Sequence, residues 1–337
     1  MKFKPLGRTG VSVSGLCFGT MSFGGDADEA ASAAMYKACR DAGINFFDCA
    51  DQYANGRSEE ILGRLMKGQR EDLVITTKCF NPTGEDVNAR GTSRRHVSRA
   101  VEASLKRLRT DRVEVLFLHH YDKRTPLEES MRALEDLVRA GKVLYPAVSN
   151  WSAWQTQRAV DIQERRDWAR LQVIQPMYNL VKRQAEVELL PMAEANGIGV
   201  IPYSPGAAGL LSGKYGANRG DASGRLKANK MYGARYAEKW MYEVADRFAA
   251  FCTQKGLHPV STAVAWVGAH PAITAPIIGA RDLEQLKDSL NALKIDMTPA
   301  LRAEIAALSR TPPPATDRLE EIKPPFKGTV GATEKSL

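Results

Sequence analysis

Residues able to carry charge or move a proton stand where apolar runs stop. The stretch FFDCADQYANGRSEEILG opens on Phe46-Phe47 and then presents Asp48, Asp51 and Tyr53. LVITTK ends in Lys78, and VEVLFLH ends in His119, with His120 next. One chemistry uses an Asp, a Tyr, a Lys and a His together. A carbonyl that receives hydride at carbon develops negative charge on oxygen and needs a proton there. A tyrosine hydroxyl can supply it, although a reference pKa of about 10 makes it a reluctant acid. A lysine ammonium beside it favours the phenolate and lowers that pKa, each unit being worth about 1.4 kcal/mol. The Asp would hold the lysine in place and charged, and a His would orient the carbonyl by a hydrogen bond. Run backwards, the same set oxidises an alcohol with the tyrosine as base.

Each residue alone has a plainer reading. Asp48 could cap the next helix, Lys78 could be a solvated rim charge, and Asp51 reads as a loop or helix-start residue. Alternation along a strand sends His119 and His120 to opposite faces, so one of them reads as structural. The same alternation argues against a metal-dependent lyase or isomerase site built from Asp48, His119 and His120. Four such residues converging on one mouth are still not what core packing selects, provided that a fold brings the strand ends together.

The chain supplies such a fold. Strand candidates at 14–19, 44–49, 73–78, 113–119, 143–149, 172–178, 197–203 and 274–279 alternate with helical patterns. The helices fall roughly at 28–41, 57–67, 93–108, 127–140, 152–162, 185–195, 237–255 and 282–292. Eight strand–helix pairs predict an α/β fold, a closed (β/α)8 TIM barrel, whose active site lies at the C-terminal strand ends. The competing doubly wound sheet would show G-x-G-x-x-G after its first strand if it bound a dinucleotide, and Gly19-Thr20-Met21-Ser22-Phe23-Gly24-Gly25 does not fit. KFKPLGRTGVSVSG predicts an N-terminal β-hairpin around Gly7-Arg8-Thr9-Gly10. Thr125, Pro126 and Glu128 predict a capping box for the helix at 127, which Gly141 stops. An extra helix at 298–309 completes a single unit over 1–310, followed by a Pro-rich polar tail over 311–337. The long Gly-rich connection 212–236 has the length of a functional or mobile loop.

Bulk properties narrow the classes. The 337 residues are 44% hydrophobic and 26% charged, a globular composition, and no apolar run has the length of a membrane span. No secretory signal is expected behind Met1-Lys2-Phe3-Lys4-Pro5. Five cysteines (17, 39, 49, 79 and 252) without CxxC spacing fit reduced, mostly buried thiols in a cytoplasmic protein. The net charge of +8 invites a nucleic-acid partner. Its densest cluster, Arg94-Arg95 with Arg99, Lys106, Arg107 and Arg109, shares a helix with Val97, Val101, Leu105 and Leu108, which describes a solvated basic face. No nucleic-acid motif accompanies it, and an anionic small ligand suits the charge equally well.

At these motifs the chain resembles the aldo-keto reductase family over nearly its whole length. LGRTGVSVSGLCFGTMSFG is similar to the family's opening, and FFDCADQYANGRSEEILG to its second-strand signature. VITTK and VEVLFLHHYD resemble the segments carrying its lysine and histidine, and TPLEESMRALEDLVRAGKVLYPAVSNWSAWQ and YSPGAAGLLSGKY complete the set. The match is nearest to the branch that includes potassium-channel β subunits and their bacterial relatives. The resemblance implies the barrel, a small-molecule carbonyl substrate, and NADPH (NADP+) lying across the mouth without a Rossmann domain. It assigns catalysis to Asp48, Tyr53, Lys78 and His119. It implies that Ser149, Asn150 and Gln175 hold the nicotinamide carboxamide, that Tyr203 stacks on the ring, and that Gly19, Thr20 and Met21 approach the ribose. Ser204, Leu210, Ser212 and Lys214 match pyrophosphate contacts, and Gly279, Arg281 and Gln285 the adenosine end. Arg281 is the expected partner of the 2′-phosphate.

Two departures stand out: Ser289 replaces the family's usual Asn near adenine, and Pro146-Ala147 replaces an apolar-Gly pair before VSN, which could shift the fifth barrel strand. The channel-subunit resemblance also allows a cofactor-binding regulatory subunit with little turnover, and homo-oligomerisation stays open. Substrate choice is expected in the loops, where Tyr121, Trp151, Tyr215, Tyr232 and Tyr236 could wall a pocket or merely pack the loop.

Overall fold

The computed structural model describes residues 1–217 and 224–319; residues 218–223 of the long connection and 320–337 of the expected tail lie outside the described residues. A hairpin of β1 (Phe3–Pro5) and β2 (Ser12–Ser14) precedes the barrel. The barrel strands are β3 (Cys17–Gly19), β4 (Phe46–Asp48), β5 (Val74–Cys79), β6 (Val113–Leu118), β7 (Val143–Ser149), β8 (Val173–Gln175), β9 (Gly199–Val200) and β10 (Ile277–Ile278). They pair in parallel in the order β10-β3-β4-β5-β6-β7-β8-β9. Backbone hydrogen bonds from Thr274 N to Val200 O and from Ile277 N to Pro202 O, each 2.9 Å, join the two ends of the sheet and close the barrel.

A two-residue period explains what faces inward. Phe46, Val74, Val115 and Phe117 fill the barrel interior, while Phe47 points outward and meets Tyr36 of the helix layer at 5.1 Å. Continuing the inward set upward places Asp48, Lys78 and His119 one above each filled layer, at the C-terminal mouth. The hairpin plugs the opposite end with Leu6 and Val13, both fully buried. Its turn needs Gly7: at φ +55°, a Cβ there would stand 2.7 Å from Gln172 O and 2.8 Å from Gly199 N.

The helices around the sheet are α1 (Glu29–Asp41), α2 (Arg57–Leu65), α3 (Arg94–Leu108), α4 (Leu127–Arg139), α5 (Ala153–Arg165) and α6 (Leu189–Asn196). After β9 come the short α7 (Arg225–Ala228) and α8 (Lys230–Arg235), then α9 (Lys239–Gln254), α10 (Pro259–Gly268), α11 (Leu283–Leu290) and α12 (Pro299–Ala306). α3 is the expected amphipathic helix, burying Val97, Val101, Leu105 and Leu108.

Three expectations are corrected. α10 was not expected between 255 and 274: PVSTAVAWVG has no polar face, because most of it is buried, and Pro259 starts it just after Gly256 ends α9 at φ +66°. The capping box at 127 does not form; Pro126 is itself the N-cap, and the Thr125 hydroxyl donates instead to Asp122 Oδ2 at 2.7 Å. Pro146-Ala147 does not disturb its strand, since β7 keeps register with β6 through Leu116–Pro146 and with β8 through Ala147–Val173.

Candidate active site

Lys78 is fully buried at the end of β5, and its ammonium has three partners. It donates to Asp48 Oδ2 at 2.6 Å, to the Cys49 carbonyl at 2.7 Å and to Tyr53 Oη at 3.2 Å. Asp48 Oδ1 accepts from Thr76 Oγ1 at 2.7 Å and from Gln175 Nε2 at 2.9 Å. Burying an ion pair costs several kcal/mol per ion, and only such complete hydrogen bonding offsets it. Tyr53 reaches back over Lys78 because the chain turns sharply after it. Ala54, Asn55 and Gly56 all adopt positive φ (+47°, +55° and +88°), and the phenol ring centre ends 4.9 Å from Lys78 Nζ.

The field at this floor is uneven. Burial is the strongest influence on Lys78 and disfavours its charge, but Asp48 and Tyr53 together overcome it and hold the ammonium above the ordinary lysine range. Tyr53 behaves differently from expectation: burial pushes its phenol up to about 12, and the pull of Lys78 offsets only part of that rise. His119 is driven well below the usual imidazole range by burial first, then by the charges of Lys78 and His120. It is therefore neutral near pH 7. The side-chain amide nitrogens of Gln52 and Asn81 face its Nδ1 at 3.4 Å each, which makes Nδ1 the acceptor and assigns the proton to Nε2.

The two histidines do not point apart. β6 ends at Leu118, so strand alternation no longer governs them, and their rings stack at 5.0 Å with 15° between planes. Both line the mouth. Asp48 is nevertheless committed to Lys78, and among the described residues no group of three or more His, Cys, Asp or Glu is placed to hold a metal ion. Asp51 also departs from its expected role as an ordinary loop residue. It is 3% exposed, and neither carboxyl oxygen has a hydrogen-bond partner.

A cavity of about 510 Å³ opens above the tetrad. Gly19, Met21, Ser149, Asn150, Gln175, Tyr203, Ser204, Ser212, Lys214, Gly279, Arg281, Gln285 and Ser289 line it, as do Asp48, Tyr53 and His119. Two expected contacts do not. Leu210 is fully buried in the apolar core, and the Thr20 hydroxyl is spent below the cavity on the Asp48 carbonyl and Ser58 Oγ. Tyr203 Oη donates to Asn150 Oδ1 at 2.7 Å, and Asn150 Nδ2 donates to the His119 carbonyl at 3.0 Å. Of the loop aromatics, Tyr215 and Tyr232 line the cavity, whereas Tyr236 is fully buried, and Tyr121 packs edge-on against Trp151. Sequence reading missed Gln52, Met231, Arg235 and His258. Gln52 could have been found from its place between Asp48 and Tyr53; Met231 and Arg235 sit on α8, too short to show a period. Lys214 and Arg281 are exposed on the cavity wall and meet no carboxylate among the described residues, so their charge is available to an anionic ligand.

Residues 15–310 match the model of the Aldo/keto reductase family. The chain is 40% identical over 308 residues to a Bacillus subtilis protein described as an uncharacterized oxidoreductase, YrpG, covering 88% of this chain and 92% of that one. It is 36% identical over 336 residues to a probable voltage-gated potassium channel subunit beta of Oryza sativa, covering 94% and 99%. With the versiconal hemiacetal acetate reductase of Aspergillus parasiticus it shares 31% over 326 residues, covering 89% and 94%. Among the described residues no helix is long and apolar enough to cross a membrane.

Proposed function

The chain belongs to the aldo/keto reductase family and is an oxidoreductase; from that premise we propose that it reduces an aldehyde or ketone to the alcohol with NADPH, Tyr53 being the proton donor. The observation that carries this reading is the single ammonium of Lys78 set between Asp48 Oδ2 at 2.6 Å and Tyr53 Oη at 3.2 Å, directly beneath the cavity that Asp48 and Tyr53 line. NADPH, when bound, supplies the hydride to the carbonyl carbon. Lys214 and Arg281 would meet its phosphates, their unspent charge being what such a group needs, and Ser149, Asn150, Gln175 and Tyr203 would hold its nicotinamide end.

The remaining chemistry belongs to the protein. The neutral His119 offers Nε2–H to the carbonyl oxygen and fixes which face is attacked. As charge builds on that oxygen, Tyr53 gives up its proton, and Lys78 stabilises the phenolate left behind. A phenol held at about 12 is no obstacle in this direction, because the forming alkoxide is a stronger base than phenolate. Asp48 keeps Lys78 charged and in place.

Steady-state oxidation of NADPH against a panel of aldehydes, ketones and aldoses tests the reading, with Tyr53→Phe as control. The variant is expected to bind NADPH normally and to lose about 10²- to 10⁴-fold in carbonyl reduction. Retention of most activity would sink the assignment. A second reading, a regulatory subunit that binds the cofactor with little turnover, is favoured by the likeness to the Oryza sativa protein over nearly both chains. Cofactor binding without turnover of any carbonyl in the panel would select it.

A further inference from the structure

Among the described residues, the Lys and Arg side chains that line the cavity without a carboxylate partner are Lys214, Arg235 and Arg281. Lys214 and Arg281 are the two assigned above to the phosphates of the proposed cofactor, which leaves Arg235 without a role. It ends α8 and is half-buried. Its guanidinium lies 5.8 Å from the ring centre of Tyr203 and 5.3 Å from that of Tyr232, both of which also line the cavity. Its hydrogen bonding is poor: a contact of Nη2 with Met231 Sδ at 3.8 Å.

Aromatic faces hold a guanidinium but accept none of its five N–H groups in the plane. The arrangement therefore fixes the side chain and leaves its fork free for a flat oxyanion. The location is close to the reacting end of the mouth, beside the residues that would hold the nicotinamide. Tyr203, beneath Arg235, hydrogen-bonds Asn150 at 2.7 Å, and Asn150 in turn bonds the backbone of His119 at 3.0 Å, the residue that would orient the carbonyl. A second cation strengthens the local field: Lys182 Nζ stands 5.9 Å from the ring of the adjacent Tyr236. Burial, and then the charge of Arg235, lower the pKa of Lys182, with Glu238 partly opposing.

We propose that Arg235 binds an anionic group, a carboxylate or a phosphate, at the far end of the carbonyl substrate, so that the enzyme prefers acid-bearing aldehydes or ketones to neutral ones. The inference rests on the reductase reading above and adds the substrate class to it.

Kinetics of the full chain with 4-carboxybenzaldehyde, 4-formylphenyl phosphate and methyl 4-formylbenzoate compare a carboxylate, a phosphate and a neutral ester on one aldehyde frame. Arg235→Leu is expected to lower kcat/KM for the favoured anionic aldehyde by about 10- to 100-fold, the scale of a charge-assisted hydrogen bond. The methyl ester and the KM for NADPH should be unchanged, and Arg235→Lys should recover part of the loss. Whichever anion shows the larger effect identifies the group. An equal loss on ester and acid, or a loss confined to the KM for NADPH, overturns the proposal. Calorimetric titration of 4-carboxybenzaldehyde into the NADP+-loaded protein reads the same contact without turnover. If wild type reduces none of the three aldehydes and no carbonyl of the wider panel, the reductase reading fails. Weaker binding to Arg235→Leu than to wild type would then still support the anion site, and equal binding would remove it.

Discussion

Lys78 and Asp48 form a sealed pair: Nζ to Oδ2 is 2.6 Å, and the side chains are 0% and 3% exposed. Lys78 has no water to turn to if Asp48 is lost, and Asp48 meets the cavity with only a 3% exposed edge. Lys78→Met should therefore fail twice, by removing the stabiliser of the Tyr53 phenolate and by stranding a buried carboxylate. Carbonyl reduction is expected to fall by orders of magnitude. Stability in urea should fall by about 3–5 kcal/mol, the usual cost of breaking a buried pair from one side. Adding Asp48→Asn to Lys78→Met should return much of the stability and none of the activity. Recovery of both together would mean that Lys78 serves the fold alone.

The position of that pair was legible in the sequence because two signals coincided. Asp48, Lys78 and His119 stand where apolar runs stop, and eight strand–helix pairs bring such ends to one mouth; the structure adds the direction, each following the inward set of Phe46, Val74, Val115 and Phe117. Where only one signal exists, side-chain direction is not legible. His119 and His120 were assigned by alternation after the strand had already ended at Leu118, and the structure stacks them. Motif position assigns Thr20 and Leu210 without giving a side-chain direction; one side chain faces Ser58 and the other the core. Arg235 lies in a Gly-rich connection where neither periodicity nor motif applies, and only the folded chain brings it to Tyr203.

Arg281 tests cofactor choice. Its side chain lines the cavity at the start of α11, exposed and without a carboxylate partner among the described residues, while its backbone N–H donates to Gln285 Oε1 at 3.4 Å. A guanidinium in that state is suited to a phosphate dianion and gains little from a ribose hydroxyl. Arg281→Ala should raise the KM for NADPH by about 10- to 100-fold, the scale of a lost charge-assisted contact, and the KM for NADH far less. Parallel titrations of the two cofactors check this. An equal rise for both would place the side chain elsewhere than at a 2′-phosphate.

Asp51 gives the clearest pH dependence. Its carboxyl is pushed up to about 7, by burial first and by the charge of Glu59 second, with Arg107 and Lys78 opposing in part. Glu59 cannot relieve it, being held by Thr77 Oγ1 at 2.5 Å and Arg107 Nε at 2.7 Å. The folded pKa is raised, so the neutral carboxyl is the form that the fold tolerates. Below the unfolded value of about 4 both states carry the proton and nothing is lost. Between about 4 and 7 the unfolded chain releases its proton while the folded chain keeps it, so each step upward in pH favours unfolding. Above about 7 the penalty is complete, up to about 4 kcal/mol at 1.4 kcal/mol per unit. Asp51→Asn keeps the shape and removes the titration. Urea denaturation should show the variant gaining on wild type between pH 4 and pH 8, with most of the gain above pH 5. A difference between the two proteins that stays constant over that range would mean that the folded Asp51 has no raised pKa.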